Sequence, residues 1–83
     1  MPNDELRALA DRPGWAVAGS LAMYEPNLGG WRAVVRPVKV AGRSYERWHV
    51  AVVDPAGHAH LALTASTVAE ARRVAEGQVL ARN

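Results

Sequence analysis

Two runs of alternating apolar residues meet at Asp54-Pro55-Ala56-Gly57, and that junction constrains the chain more than any other feature. An aspartate can hydrogen-bond the backbone two residues on, proline presets φ for a turn, and glycine takes the conformations other residues avoid. Before the turn, Trp48, Val50 and Val52 alternate with Arg47, His49, Ala51 and Val53. After it, Ala59, Leu61 and Leu63 alternate with His58, His60 and Ala62. A period of two predicts half-buried strands, over about Arg43 to Val53 and His58 to Thr64. A connection this short joins strands only in antiparallel fashion.

The same reading extends in both directions. Trp31 to Val40 is a Val-rich strand that closes on its successor at Ala41-Gly42. Pro37 lies within it, and a residue with no N–H belongs at an edge position or a bulge. Trp15 to Tyr24 reads as one strand, with Trp15, Val17, Leu21 and Met23 on one face and Ala16, Ala18, Ser20, Ala22 and Tyr24 on the other. Glu25 to Gly30 is a loop. At the start, Asn3 can cap a short helix with Asp4 and Glu5 in its first turn and Leu6 and Leu9 on its apolar stripe, ended by Pro13-Gly14. At the end, Thr67-Val68-Ala69-Glu70 is a capping box, with Ser66 as an alternative cap, followed by Val68, Ala71, Val74, Ala75 and Val79 on one helical face and fraying near Ala81 to Asn83. The predicted fold is α+β. It is a four-stranded antiparallel β-meander with the C-terminal helix packed on one face and a short N-terminal helix, residues 1–83 forming a single domain.

Large side chains are scarce in this core. The only aromatic residues are Trp15, Trp31, Trp48, Tyr24 and Tyr45, and much of the apolar content is Ala and Val. A core so thin favours association with a second copy or a partner. Trp48 is expected to be buried beside Val50, and Trp31, after two glycines, is the candidate for an exposed anchor. There is no cysteine, which removes disulfides and thiolate metal sites from consideration. No stretch approaches the length of a membrane span. The beginning, Met1-Pro2-Asn3-Asp4-Glu5, is acidic and polar, unlike a signal peptide, so the expected location is cytoplasmic.

Charge is distributed unevenly. Arg32, Arg36, Lys39, Arg43 and Arg47 face Glu46 alone between Trp31 and His49, whereas the remaining five basic residues are outnumbered by seven acidic ones. Arg43, Tyr45, Arg47 and His49 alternate onto one strand face, and Arg32 and Arg36 share a face of the strand before it. Guanidinium groups bind phosphate in bidentate fashion, tyrosine stacks on bases, and a two-stranded ribbon fits the DNA major groove. The competing account is an ordinary solvated face of an antiparallel sheet. Other constellations are weaker. His49, His58 and His60 lack a clear further metal ligand. Ser44, His49 and Asp54 have no nucleophile elbow or oxyanion hole beside them. Gly29-Gly30 lacks the spacing and the lysine of a phosphate loop.

The run from Arg47 to Gly57, with the following strand and Thr67-Val68-Ala69-Glu70-Ala71, resembles the arm-type DNA-binding domains of tyrosine integrases: strand, Asp-x-x-Gly turn, strand, Thr-x-x-Glu-Ala helix. That resemblance implies a sheet inserted into the major groove, with Arg43, Tyr45, Arg47, His58 and His60 facing DNA. The fourth strand departs from it in having few basic residues. The element order is similar to that of double-stranded-RNA-binding domains too, although acid stands at the start of the last helix where phosphate would sit, and small antitoxins share the same stretch.

The sequence therefore predicts a small non-enzymatic module that binds nucleic acid, DNA before RNA, through Arg32, Arg36, Lys39, Arg43, Tyr45, Arg47 and His49. The alternative is a protein–protein interaction module or a homodimeric, regulatory, antitoxin-like one. Neither reading invokes a cofactor, a membrane or a small-molecule substrate.

Overall fold

The Asp54 to Gly57 turn forms as its residues dictate. The amide of Gly57 donates to the carbonyl oxygen of Asp54 at 2.9 Å, and Gly57 takes φ +95°. In the computed structural model, which describes residues 4–39 and 46–83, every strand pairs with its sequence neighbour. The elements run α1 (Asp4–Ala8), a 3₁₀ turn (Leu9–Asp11), β1 (Trp15–Ala18), β2 (Leu21–Tyr24), β3 (Arg32–Lys39), β4 (Glu46–Val53), β5 (Ala59–Ala65) and α2 (Val68–Arg82). The result is an antiparallel meander in the order β1-β2-β3-β4-β5, with α2 lying chiefly over β3 and β4. No helix among the described residues is long and apolar enough to cross a membrane.

The sheet has five strands, not four, because the stretch from Trp15 to Tyr24 reverses in its middle. Ala18 pairs with Leu21 across a two-residue loop of Gly19 and Ser20, and Gly19 takes φ +61°. A positive φ at the first loop residue suits the right-handed twist of a tight hairpin, and glycine adopts it without a Cβ clash. The reversal also changes which side chains share a face. Trp15 pairs with Tyr24 and Val17 with Ala22, so these four line the helix side. Leu21 and Met23, expected beside Trp15, lie instead on the opposite, open face, and Leu21 is exposed.

Alternation holds along the rest of the sheet. Ala33 and Val35, Trp48, Val50 and Val52, and Ala65 are buried toward α2. Pro37 pairs with Trp48 on β4, whereas the pairing with β2 stops at Val35, so Pro37 has no strand beside it on that flank. This is the edge position a proline requires, inside an otherwise central strand. One bulge, at Val52/Val53, shifts the register so that Ala59 opposes Val53. Ala59 is consequently exposed, not part of the core as the simple alternation implied, while Leu61 and Leu63 stay half-buried on the helix side.

The helix starts where the capping box places it. The Glu70 amide donates to Thr67 Oγ1 at 3.1 Å, and the Glu70 carboxylate reaches back to the Ser66 amide at 3.3 Å. Val68, Ala71, Ala75 and Val79 are buried, and small residues at 71 and 75 let the helix approach the sheet closely. It runs to Arg82 without fraying, because its end is held: Asn83 Oδ1 accepts from the Trp31 amide at 3.2 Å, and the Arg82 guanidinium lies 5.4 Å from the Trp31 ring centroid. Trp31 is thus half-buried against the core, not an exposed anchor.

At the opposite flank Glu76 gathers three groups. Trp15 Nε1 donates to it at 2.9 Å, Arg72 donates at 2.8 Å, and Arg12 Nε lies 3.6 Å away. This ties α2 to β1 and to the segment after α1, whose Leu6 and Leu9 are buried. Trp15 packs on Tyr24 at 5.1 Å between centroids. Burial, reinforced by the Glu76 charge, raises the Tyr24 phenol above its usual pKa.

Candidate nucleic-acid interface

With α2 on one face, the other face of the sheet is left uncovered, and strand alternation decides what stands there. It carries Leu21 and Met23 from β2, Arg32, Val34, Arg36 and Val38 from β3, Arg47, His49 and Ala51 from β4, and Ala62 and Thr64 from β5. Every carboxylate whose side chain is described lies elsewhere: Asp4, Glu5 and Asp11 near the N-terminal helix, Glu25 and Asp54 in turns, Glu70 and Glu76 on α2. Where described, the open face is therefore basic and aliphatic, and the described acids are segregated from it.

The register assembles a compact group at one end of this face. Arg36 is directly opposite His49, and His49 is opposite Thr64 on its other side. Arg47 is opposite Val38, which makes it the diagonal neighbour of Arg36, about 7–8 Å apart on an antiparallel pair. Arg36 and Arg47 are exposed and have no carboxylate partner among the described residues. His49 is half-buried. Its Nδ1 is the one buried side-chain nitrogen or oxygen left without a hydrogen bond among the described residues.

The two strands bearing this group extend past their neighbours. Pairing of β3 with β2 ends at Val35 and that of β4 with β5 begins at Trp48, yet β3 and β4 remain paired out to Val38–Arg47 and Lys39–Glu46. The end of the β3–β4 pair is a two-stranded ribbon projecting from the sheet, with Val38 and Arg47 on its open side.

Not every expected residue joins the group. Arg32 shares the face but stands four residues from Arg36, opposite Val53, with its guanidinium beside Gly57 in the β4–β5 turn. Lys39 ends β3 opposite Glu46, and its side chain lies outside the described residues, as do Arg43 and Tyr45.

A second cluster surrounds Asp54 and was signalled in the sequence only by histidines four and six residues after a turn aspartate. Asp54 accepts from the His58 amide at 2.9 Å and pairs with His60 Nε2 at 2.5 Å, while His58 Nδ1 lies 3.8 Å from it. The His60 hydrogen bond, then the His58 amide, lower the Asp54 carboxyl from 3.8 to about 2. The His60 ring packs against Trp31 at 5.0 Å between centroids. His60 is thus engaged with its own chain, while His58 is exposed in the turn. No group of three or more His, Cys, Asp or Glu among the described residues is arranged to hold a metal.

Comparison with protein-family models, with curated proteins and with solved structures gives no match.

Proposed function

We propose that this domain binds nucleic acid, duplex DNA foremost, by laying the projecting β3–β4 ribbon into a groove with Arg36 and Arg47 on phosphates and His49 beside them. One observation carries the reading: the two exposed arginines stand as diagonal neighbours on a face with no described carboxylate, Arg47 on the two-stranded end of the β3–β4 pair and Arg36 at its base. The width matters, because a two-stranded ribbon enters the major groove and a five-stranded sheet does not. The chemistry of the face matters too. Its uncovered surface is aliphatic where described, with Met23, Val34 and Ala51 at its centre. Single-strand binders stack bases on aromatic rings, and such a platform is missing among these residues. Backbone contact by guanidinium is what the face supports best. The resemblance of residues 47–57 and 67–71 to arm-type domains points the same way.

Lys39, Arg43 and Tyr45 belong to the same proposal as candidates on sequence grounds, and Arg32 as a peripheral contact near the turn.

The test is a fluorescence-anisotropy titration of the full chain against a mixed-sequence duplex and its separated strands. Duplex is expected to bind more tightly, and Arg36→Glu with Arg47→Glu to weaken it at least tenfold while the thermal transition stays in place. Equal affinity of the double variant would remove the ribbon from the reading. A preference for single strands would remove the groove.

A further inference from the structure

The sheet ends in two unpaired edges, and they differ. β1 is four residues long, whereas β5 spans seven, Ala59 to Ala65. Proteins blunt long edges with lysine, proline, inward charges or a covering element. β5 has none of these: its residues are Ala, His, Leu, Ala, Leu, Thr and Ala, and its one bulge falls at His60, leaving Leu61 to Ala65 regular. His60, the one titratable group on it, is occupied by Asp54. On the helix side the strand also keeps Leu61 and Leu63 half-exposed, because α2 sits chiefly over β3 and β4.

We infer that β5 is a self-association edge, and that two copies of this chain join β5 to β5 antiparallel about a two-fold axis passing through Ala62. The register follows from the side chains. Directly opposed residues of an antiparallel pair share a face, so the dyad must pass through a residue position that keeps leucine on the leucine side. Centring on Ala62 places Leu61 against Leu63 of the second copy and Leu63 against its Leu61, two leucine pairs from one two-fold. Centring on Leu61 or Leu63 leaves the other leucine opposite Ala59 or Ala65. The Ala62 register is the self-complementary one, as an isologous interface requires.

Charge selects this edge over the open face as the place for a second copy. Stacking two open faces would bring Arg32, Arg36 and Arg47 toward their own equivalents, whereas β5 has no formal charge beyond His60 to oppose itself. The edge is small. Seven residues make it about 24 Å long, and one sheet layer about 10 Å thick gives a footprint of roughly 240 Å² per chain. That lies below the range of permanent interfaces, so the pairing is expected to be weak and concentration-dependent. The axis is perpendicular to the sheet, so both open faces would lie on one side of a continuous ten-stranded sheet. This inference does not rest on nucleic-acid binding.

Ala62 is exposed and sits on the proposed axis, so it makes the test without endangering the fold. Light scattering of the full chain, without nucleic acid, at about 5 and about 500 µM brackets the micromolar affinity of a small interface. A concentration-dependent dimer is expected, weakened at least tenfold by Ala62→Lys, which sets two ammonium groups against each other. The chain has no cysteine, so Ala62→Cys gives a second, independent reading. Across the axis the Cα atoms would be about 5 Å apart, within disulfide range, whereas those of Thr64→Cys would be about 14 Å apart. Oxidation should therefore cross-link the first variant and not the second. A monomer at the higher concentration, a dimer indifferent to Ala62→Lys, or cross-linking at 64 in place of 62 would each overturn the proposal.

Discussion

The salt dependence of binding is the sharpest consequence of the Arg36–Arg47 geometry. Each arginine that neutralises one phosphate releases counterions, and log K falls with log salt by about 0.9 per contact on duplex DNA. Arg36 and Arg47 are exposed, unpaired among the described residues, and spaced to meet separate phosphates. Replacing both with glutamine removes two contacts and leaves the strand alternation intact. The slope should then become shallower by about 1.8. Between 50 and 200 mM salt, a fourfold change, the advantage of the unaltered chain over the double variant should shrink by about twelvefold. Anisotropy titrations at four salt concentrations measure both slopes directly. Arg73→Gln is the control, because Arg73 is exposed on α2 and away from the ribbon. Equal slopes for the unaltered chain and the double variant would refute the reasoning, whatever the absolute affinities. So would an equal change in the control, which would mark the effect as one of net charge.

Three further predictions concern the frame that holds the ribbon. Glu76→Gln should lower stability by about 1–2 kcal/mol in urea titration, because it weakens charge-assisted bonds from Arg72 and Trp15 at once; Glu70→Gln, tied only to the cap, should cost less. The Asp54 carboxyl is depressed in the folded state, so its contribution is present above the unfolded value of 3.8 and is lost as pH falls toward about 2. Asp54→Asn should flatten the stability profile over that interval, as read from urea midpoints. Gly19→Ala forces a Cβ into φ +61° at the β1–β2 turn, and a loss of about 1 kcal/mol is expected in a thermal melt, although no atom lies near enough to clash.

How much of the fold can be read in the sequence depends on whether a local signal had a competitor. The Asp54–Gly57 turn had none, and the Thr67 cap had only the adjacent Ser66, which lacks a Glu three residues on. Each combines residues whose side chains bond their own backbone, and both form as expected. The β1–β2 hairpin did have a competitor. Trp15 to Tyr24 alternates without a break, and Gly19-Ser20 contains no Asn, Asp or Pro to announce a turn. The available signal was a glycine placed where a two-residue loop needs positive φ. Missing it costs more than a strand count. A two-residue reversal exchanges the inward and outward sets, which is why Tyr24 is buried and Leu21 and Met23 are on the open face. Trp31 fails for another reason. Its cover comes from Arg82 and Asn83, about fifty residues away, and from His60, so no local pattern could place it.

The basic face was legible where a single buried anchor sets the parity of a strand. Trp48 inside commits Arg47 and His49 to the outside, and pairing with β4 then orients Arg36 through His49. Arg32 obeys the same parity yet lies apart, since position along a strand is set by where neighbouring strands stop, which alternation does not encode. The stopping points are what turn a charged face into a ribbon: Pro37 stands where β2 no longer runs beside β3, so the residue that cannot donate to a ladder marks where the sheet narrows from five strands to three, one step before β5 also ends and two remain. A substitution that let β2 extend, by restoring an N–H at 37 and lengthening the Gly19-Ser20 hairpin, would broaden the tip without altering any arginine. If the groove-binding account is right, that variant loses duplex affinity with its charge intact, and charge alone is thereby separated from shape.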